Sequence, residues 1–168
     1  MGLDMYLNVR KYVSKYNYKD GDRTEVPEFS TLADMSGIDN LFKYSGFSGI
    51  EISYPVAQWR KANGIHNWFV NNLANGDDNC EPVFCSRSDL NLLLDACKKV
   101  LEETDPEEKS AVAEDVGLEP TPGFFFGSTE VDEWYDADLK YTVEMLEHIL
   151  SLIPEDAYDW SFVYQASW

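Results

Sequence analysis

Leu3, Met5, Leu7 and Val9 alternate with Asp4, Tyr6, Asn8 and Arg10, a period of two that predicts a half-buried first strand. Residues 17–49 are rich in Gly, Asp, Ser and Asn with scattered aromatics, and they predict a long loop holding at most short elements. Ile50, Ile52 and Tyr54 alternate again as a second strand. Ser53 and Pro55 then predict the opening of a helix running to about Leu73, with Pro in the first turn, where its missing N–H is not needed. Its apolar stripe would be Trp59, Ala62, His66, Phe69 and Leu73. The run Asn75–Asn79 ends it as a turn.

Ser86-Arg87-Ser88-Asp89 reads as a helix cap, and Leu90, Leu93, Leu94, Cys97, Val100 and Leu101 follow at helical spacing. Residues 102–122 are acidic and contain Pro106, Gly117, Pro120 and Pro122, which predicts a mobile loop with at most one helical turn. Phe124–Phe126 read as a short strand. Ser128 or Thr129 would cap a third helix carrying Val131, Leu139, Thr142, Met145, Leu146, Ile149 and Leu150, stopped by Pro154. Trp160, Phe162, Tyr164 and Ala166 alternate to the end and predict a strand that pairs with the first. The fold class expected from this order is α+β: a single domain, residues 1–168, with about three helices packed on a small antiparallel or mixed sheet.

Composition agrees with a packed core. The 168 residues are 44% hydrophobic, with five Trp, ten Tyr and nine Phe, enough to offset the entropy of ordering. Charge changes the picture more. The formal net charge is −18, and residues 101–160 hold eighteen acids against only Lys109 and Lys140. Direct binding to nucleic acid needs a basic footprint and is not expected. A basic partner, or solubility and self-repulsion alone, fits this charge better.

Cys80, Cys85 and Cys97 are odd in number and lack the paired spacing of a zinc site. With Cys97 on an apolar helix face they read as small buried hydrophobes, and neither a metal nor a cofactor is expected. The first residues resemble no secretory signal, and no apolar run is long enough to span a bilayer. A cytoplasmic location is the expectation. The oligomeric state is open, a homo-oligomer included.

Three constellations could carry function. Arg60, Asn63, Asn67 and Asn71 follow at spacings of three, four and four on the predicted helix, which would place one cation and three amides on one face. Lys61 and Trp68, the latter well off the apolar stripe, would extend it into a cationic and stacking surface. The alternative is a polar face with no task. His66 sits inside the stripe and reads as a buried, hydrogen-bonded core histidine rather than a base.

The second constellation is Gly123–Tyr135. Free N–H groups at Ser128–Val131 could receive an anion, but Glu130, Asp132 and Glu133 already satisfy the helix dipole. Ser128, Thr129, Trp134 and Tyr135 are expected to wall the site formed by Arg60, Lys61, Asn63, Asn67 and Trp68. The third is an acidic face of Glu133, Asp136, Glu144 and Glu147, which could imitate nucleic acid and occupy a DNA- or RNA-binding protein; such runs are usually only solvated faces.

The chain resembles a family of small proteins encoded by bacteriophages and prophages. The resemblance rests on the opening Met-Gly-Leu-Asp-Met-Tyr-Leu, on the segment Tyr54–Val70, on Gly123–Tyr135 with its Gly-Phe-Phe-Phe-Gly-Ser-Thr motif, and on the closing Tyr164-Gln165-Ala166-Ser167-Trp168. It implies an accessory protein acting in a host bacterial cell, where such proteins counter defences or redirect enzymes. The leading expectation is a non-enzymatic anti-defence protein that sequesters a small anionic or nucleotide-like ligand. The competing expectations are an acidic, nucleic-acid-mimicking inhibitor of a host protein and a nucleotide-processing enzyme using His66 with acids near Asp132.

Overall fold

A computed structural model describes residues 2–19, 21–38 and 49–168. Its main sheet has four strands, all neighbours antiparallel. β1 (Asp4–Ser14) lies between β4 (Gly49–Arg60) and β6 (Trp160–Ser167), and β5 (Val83–Cys85) closes the far edge. The first and last strands therefore pair as their alternation implies, Met5 opposite Ala166 and Leu7 opposite Tyr164. Leu3, Met5 and Leu7 are fully buried against the helices, while Asp4, Tyr6, Asn8 and Arg10 face the other side, half-buried.

Three helices cover the sheet: α2 (Asn63–Leu73), α3 (Arg87–Glu102) and α5 (Glu133–Leu152). Ser86 opens α3 with the expected capping box, its side chain accepting from the Asp89 amide while Asp89 accepts from the Ser86 amide. The core gathers Trp59, Ile65, Phe69, Leu90, Leu93, Leu139, Leu146 and Tyr164. Within it Phe69 stacks on Tyr164 at 3.9 Å between ring centres.

The class is α+β, but the described residues hold five helices rather than about three. Residues 17–49 are not one long loop. They contain the end of β2 (Tyr16–Lys19), β3 (Asp22–Glu25) paired with it, and α1 (Pro27–Ser36), which buries Phe29 and Ala33 over Val13 in a small separate cluster; positions 39–48 of that loop lie outside the described residues. Residues 102–122 contain α4 (Pro106–Asp115), ten residues rather than a mobile loop with one turn. Asp105 caps it and Pro106 begins it, so the acids and proline that suggested disorder are helix-start chemistry.

The largest correction concerns Ser53–Ala62. No helix begins there; β4 runs through Pro55 to Arg60, and α2 starts only at Asn63. Pro55 is tolerated because β4 is an edge strand and carries a bulge beside it: Leu7 faces Ala57 and Asn8 faces Pro55, leaving Val56 as the extra residue. Phe124–Phe126 form a turn, not a strand, and α5 is capped by Asp132 rather than by Ser128 or Thr129. Among the described residues no helix is long and apolar enough to cross a membrane.

Candidate functional site

A cleft of about 340 Å³ opens where the end of β4, the start of α2, the 127–132 loop and the first two turns of α5 converge. That volume is at the small end of the range for ligand sites. Arg60, Lys61 and Asn63 line one side, Ser128 the loop, and Trp134 and Tyr135 the helix. Two segments 65 residues apart in sequence are thus brought to one place. Asn67, Trp68 and Thr129 do not line it.

Lys61 is held in an unusual way. Its φ of 62° is left-handed, a conformation disfavoured for a side chain with a Cβ. Its aliphatic stem crosses Gly127, where an added Cβ would stand 3.2 Å from the Lys61 Cβ. A Cβ on Gly2 would meet Lys61 Cε at 3.5 Å and an Arg60 guanidinium nitrogen at 3.8 Å. The two cations therefore lie side by side above one glycine.

Neither is strongly neutralised. Arg60 has a loose contact with Asp4 at 3.8 Å, with its side chain 68% exposed, and Lys61 has no ion pair among the described residues. By contrast Lys98, Lys99 and Lys109 meet Glu147, Asp115 and Asp136 at 2.6, 2.7 and 2.8 Å.

The asparagines are not a ligand-reading face. Arg60 is on a strand, so it does not share a helix face with Asn63, Asn67 and Asn71. Asn63 is 4% exposed and its Nδ2 donates to the carbonyls of Phe126 (3.1 Å) and Ser128 (2.7 Å). Asn67 donates to the Glu119 carbonyl and accepts from Asn71. Asn63 and Asn67 fasten the 119–128 segment to α2, which is an interior helix, buried from Asn63 through Phe69, while the exposed Asn71 supports Asn67. For the same reason Trp68 is no stacking surface; it is 3% exposed and packs edge-on against Phe69.

On the helix side, Asp132 Oδ1 accepts from the amides of Trp134 and Tyr135. Tyr135 is buried, donates its hydroxyl to the Leu118 carbonyl, and has its pKa raised by burial. The sequence reading missed Asp138. It lines the cleft half-buried, one helical turn beyond Trp134, and its carboxylate has no hydrogen-bond or ion-pair partner among the described residues. Burial, with a smaller contribution from Asp132, lifts its pKa from 3.8 to about 6. Its four-residue spacing from the exposed Trp134 was the available signal.

His66 lies elsewhere, 2% exposed, with Nδ1 2.7 Å from the Tyr164 hydroxyl and Nε2 3.1 Å from Asp78 Oδ2. Asp78 Oδ1 in turn accepts from the Trp168 indole at 3.2 Å. With the proton on Nε2, His66 accepts from Tyr164 and donates to Asp78, so the ring is satisfied on both sides. This chain ties the 77–80 turn and the end of β6 to α2, and it does not reach the cleft.

On the acidic face, Asp136 and Glu147 are engaged by Lys109 and Lys98, while Glu133 and Glu144 are exposed. Cys85 and Cys97 are buried, with thiol pKa values pushed up to about 12 by that burial, and Cys80 is half-exposed. No group of three or more His, Cys, Asp or Glu among the described residues is placed to hold a metal. Comparison with models of protein families, with curated proteins and with solved structures gave no match to this chain.

Proposed function

We propose that this chain is a non-enzymatic binding protein that captures a small anionic or nucleotide-like ligand in the Arg60–Lys61 cleft. The observation that carries the reading is the pair of adjacent, weakly neutralised cations beside a 340 Å³ cavity in a protein of net charge −18. Lys98, Lys99 and Lys109 are held in close ion pairs with carboxylates. Lys61 is instead fixed in a strained conformation that keeps it over Gly127. Strain of this kind persists where the surrounding structure over-determines it, and it gathers at binding sites. Arg60 supplies a planar fork suited to phosphate or carboxylate, and Lys61 a compact charge beside it.

The resemblance to phage-encoded proteins gives the capture a purpose, sequestration of a host signal or defence metabolite. An acidic mimic is favoured less, because Asp136 and Glu147 are already paired within the chain. An enzyme using His66 with Asp132 is also favoured less, because only Asp132 of the two lines the cleft.

Isothermal titration of the full chain with inorganic phosphate, ribose 5-phosphate and nucleoside monophosphates tests the reading. Binding should be saturable and should weaken about ten-fold or more in Arg60→Ala and in Lys61→Ala, the loss of one charge-assisted contact. Absence of binding to every probe, or binding indifferent to both substitutions, would overturn it.

A further inference from the structure

Trp134 and Asp138 stand four residues apart on α5, so they share one helix face, and both line the cleft. Trp134 is 74% exposed although it is among the largest apolar side chains in the chain. On this part of α5, Asp132 caps the helix and Asp136 holds Lys109, whereas Asp138 lines the cleft without a donor among the described residues. A wide aromatic surface thus adjoins an unpartnered carboxylate, with two cations on the other side of the same cavity.

Resting on the anion-capture reading above, we propose that the ligand is a guanine nucleotide, with its phosphate on Arg60 and Lys61, its base on the Trp134 ring and its Watson–Crick edge on Asp138. An ionised carboxylate only accepts hydrogen bonds. Guanine presents two adjacent donors on that edge, N1–H and the N2 amino group, which the two carboxylate oxygens accept together. Adenine and cytosine each place a ring-nitrogen acceptor beside a single amino donor, and uracil flanks its one N–H with two carbonyls; each sets a lone pair against the carboxylate. The acceptor pair that Asp138 presents therefore selects one base, while stacking on Trp134 is indifferent to which base it is. With a carboxyl that loses its proton near pH 6, the acceptor form prevails at neutral pH. The other charged groups facing this space are Glu130, Asp132, Arg60 and Lys61. The carboxylates repel a second anionic group from the base end, so phosphate and base are sorted to opposite sides.

Calorimetric titration of the full chain at neutral pH with GMP, AMP and inorganic phosphate decides the matter. GMP should bind about ten-fold or more tightly than AMP, the worth of a bidentate edge contact. Asp138→Asn, whose side chain offers a donor as well as an acceptor, should collapse that preference, and circular dichroism should show the variant folded, since the Asp138 carboxylate has no partner among the described residues. Trp134→Ala should weaken both nucleotides and leave phosphate unchanged. Equal affinity for GMP and AMP, or a GMP preference that survives Asp138→Asn, would overturn the guanine assignment while phosphate binding upheld the anion site. Failure of all three probes to bind would overturn both.

Discussion

Asn63 Nδ2 donates to the carbonyl of Ser128 across 2.7 Å and 65 positions of sequence, joining the first residue of α2 to a loop that lines the cleft. The same amide reaches the Phe126 carbonyl at 3.1 Å. Asn63→Ala leaves two carbonyl oxygens without this donor and should cost about 1–3 kcal/mol in urea denaturation. Asn63→Asp should cost more, because it sets a carboxylate against those oxygens. Equal stability of wild type and Asn63→Asp would refute the clasp.

Lys61→Gly separates stability from binding. Glycine adopts φ of 62° without a Cβ penalty, so relief of the left-handed backbone should raise stability by about 0.5–1 kcal/mol. The same change removes a cation from the cleft and should weaken phosphate binding about ten-fold. A variant that is both less stable and unimpaired in binding would show that Lys61 is held for packing alone.

The sequence carries β1, β6 and α3 plainly, because their cues are local: alternation in β1 and β6, and Ser86 with Asp89 three residues on. It misplaces the start of α2 because Trp59, Ala62, His66 and Phe69 happen to fall at helical intervals, although the first two end a strand and turn a corner. What distinguishes Pro55 at an edge bulge from Pro55 in a first helical turn is the neighbouring strand, and sequence does not display it. Arg60, Lys61, Ser128, Trp134 and Tyr135 were legible as residues of interest from their chemistry. The asparagines misled because an amide suited to reading a ligand is equally suited to holding a loop. Asp138 was hidden among eighteen acids, since only burial separates it from the rest.

Asp138 gives the protein a specific dependence on pH. Its carboxyl titrates near 6 in the folded protein against an ordinary 3.8, so the folded chain holds this proton more tightly than the unfolded one. The contribution to stability is full below about pH 4 and is lost as pH rises through about 6. Discounted for partial exposure, the loss is about 1 kcal/mol. Denaturation curves across this window should show it in the wild type and not in Asp138→Asn. Base preference should move the opposite way, a GMP advantage appearing as pH rises past 6 and the carboxylate becomes a pure acceptor.

His66 tests whether the Tyr164–His66–Asp78 chain is architecture. His66→Ala leaves the buried Tyr164 hydroxyl and the Asp78 carboxylate without their partner and opens a cavity beside Phe126 and Tyr164. A cost of about 2–4 kcal/mol is expected. Ligand affinity, measured where the variant remains folded, should stay within about two-fold, because the chain does not reach the cleft. Loss of binding with stability intact would place His66 in the site after all.

Gly64 sets two effects against each other. It lies in the first turn of α2, where alanine improves helix propensity by up to about 1 kcal/mol over glycine. Yet a Cβ there would stand 2.5 Å from the Leu118 carbonyl oxygen and 3.1 Å from Tyr135 Cε2. The nearer atom belongs to backbone and cannot swing aside as a side-chain end would. That oxygen already accepts the Tyr135 hydroxyl at 3.0 Å, so moving it also disturbs a buried hydrogen bond beside the cleft. Overpacking of this kind costs about 1–3 kcal/mol, which exceeds the propensity gain, and Gly64→Ala should lower the melting temperature by a few degrees. Because Tyr135 lines the cleft, phosphate affinity should fall with it. A rise in melting temperature would mean that the Leu118 segment is free to withdraw from α2, and the close packing that fixes this wall would be wrong.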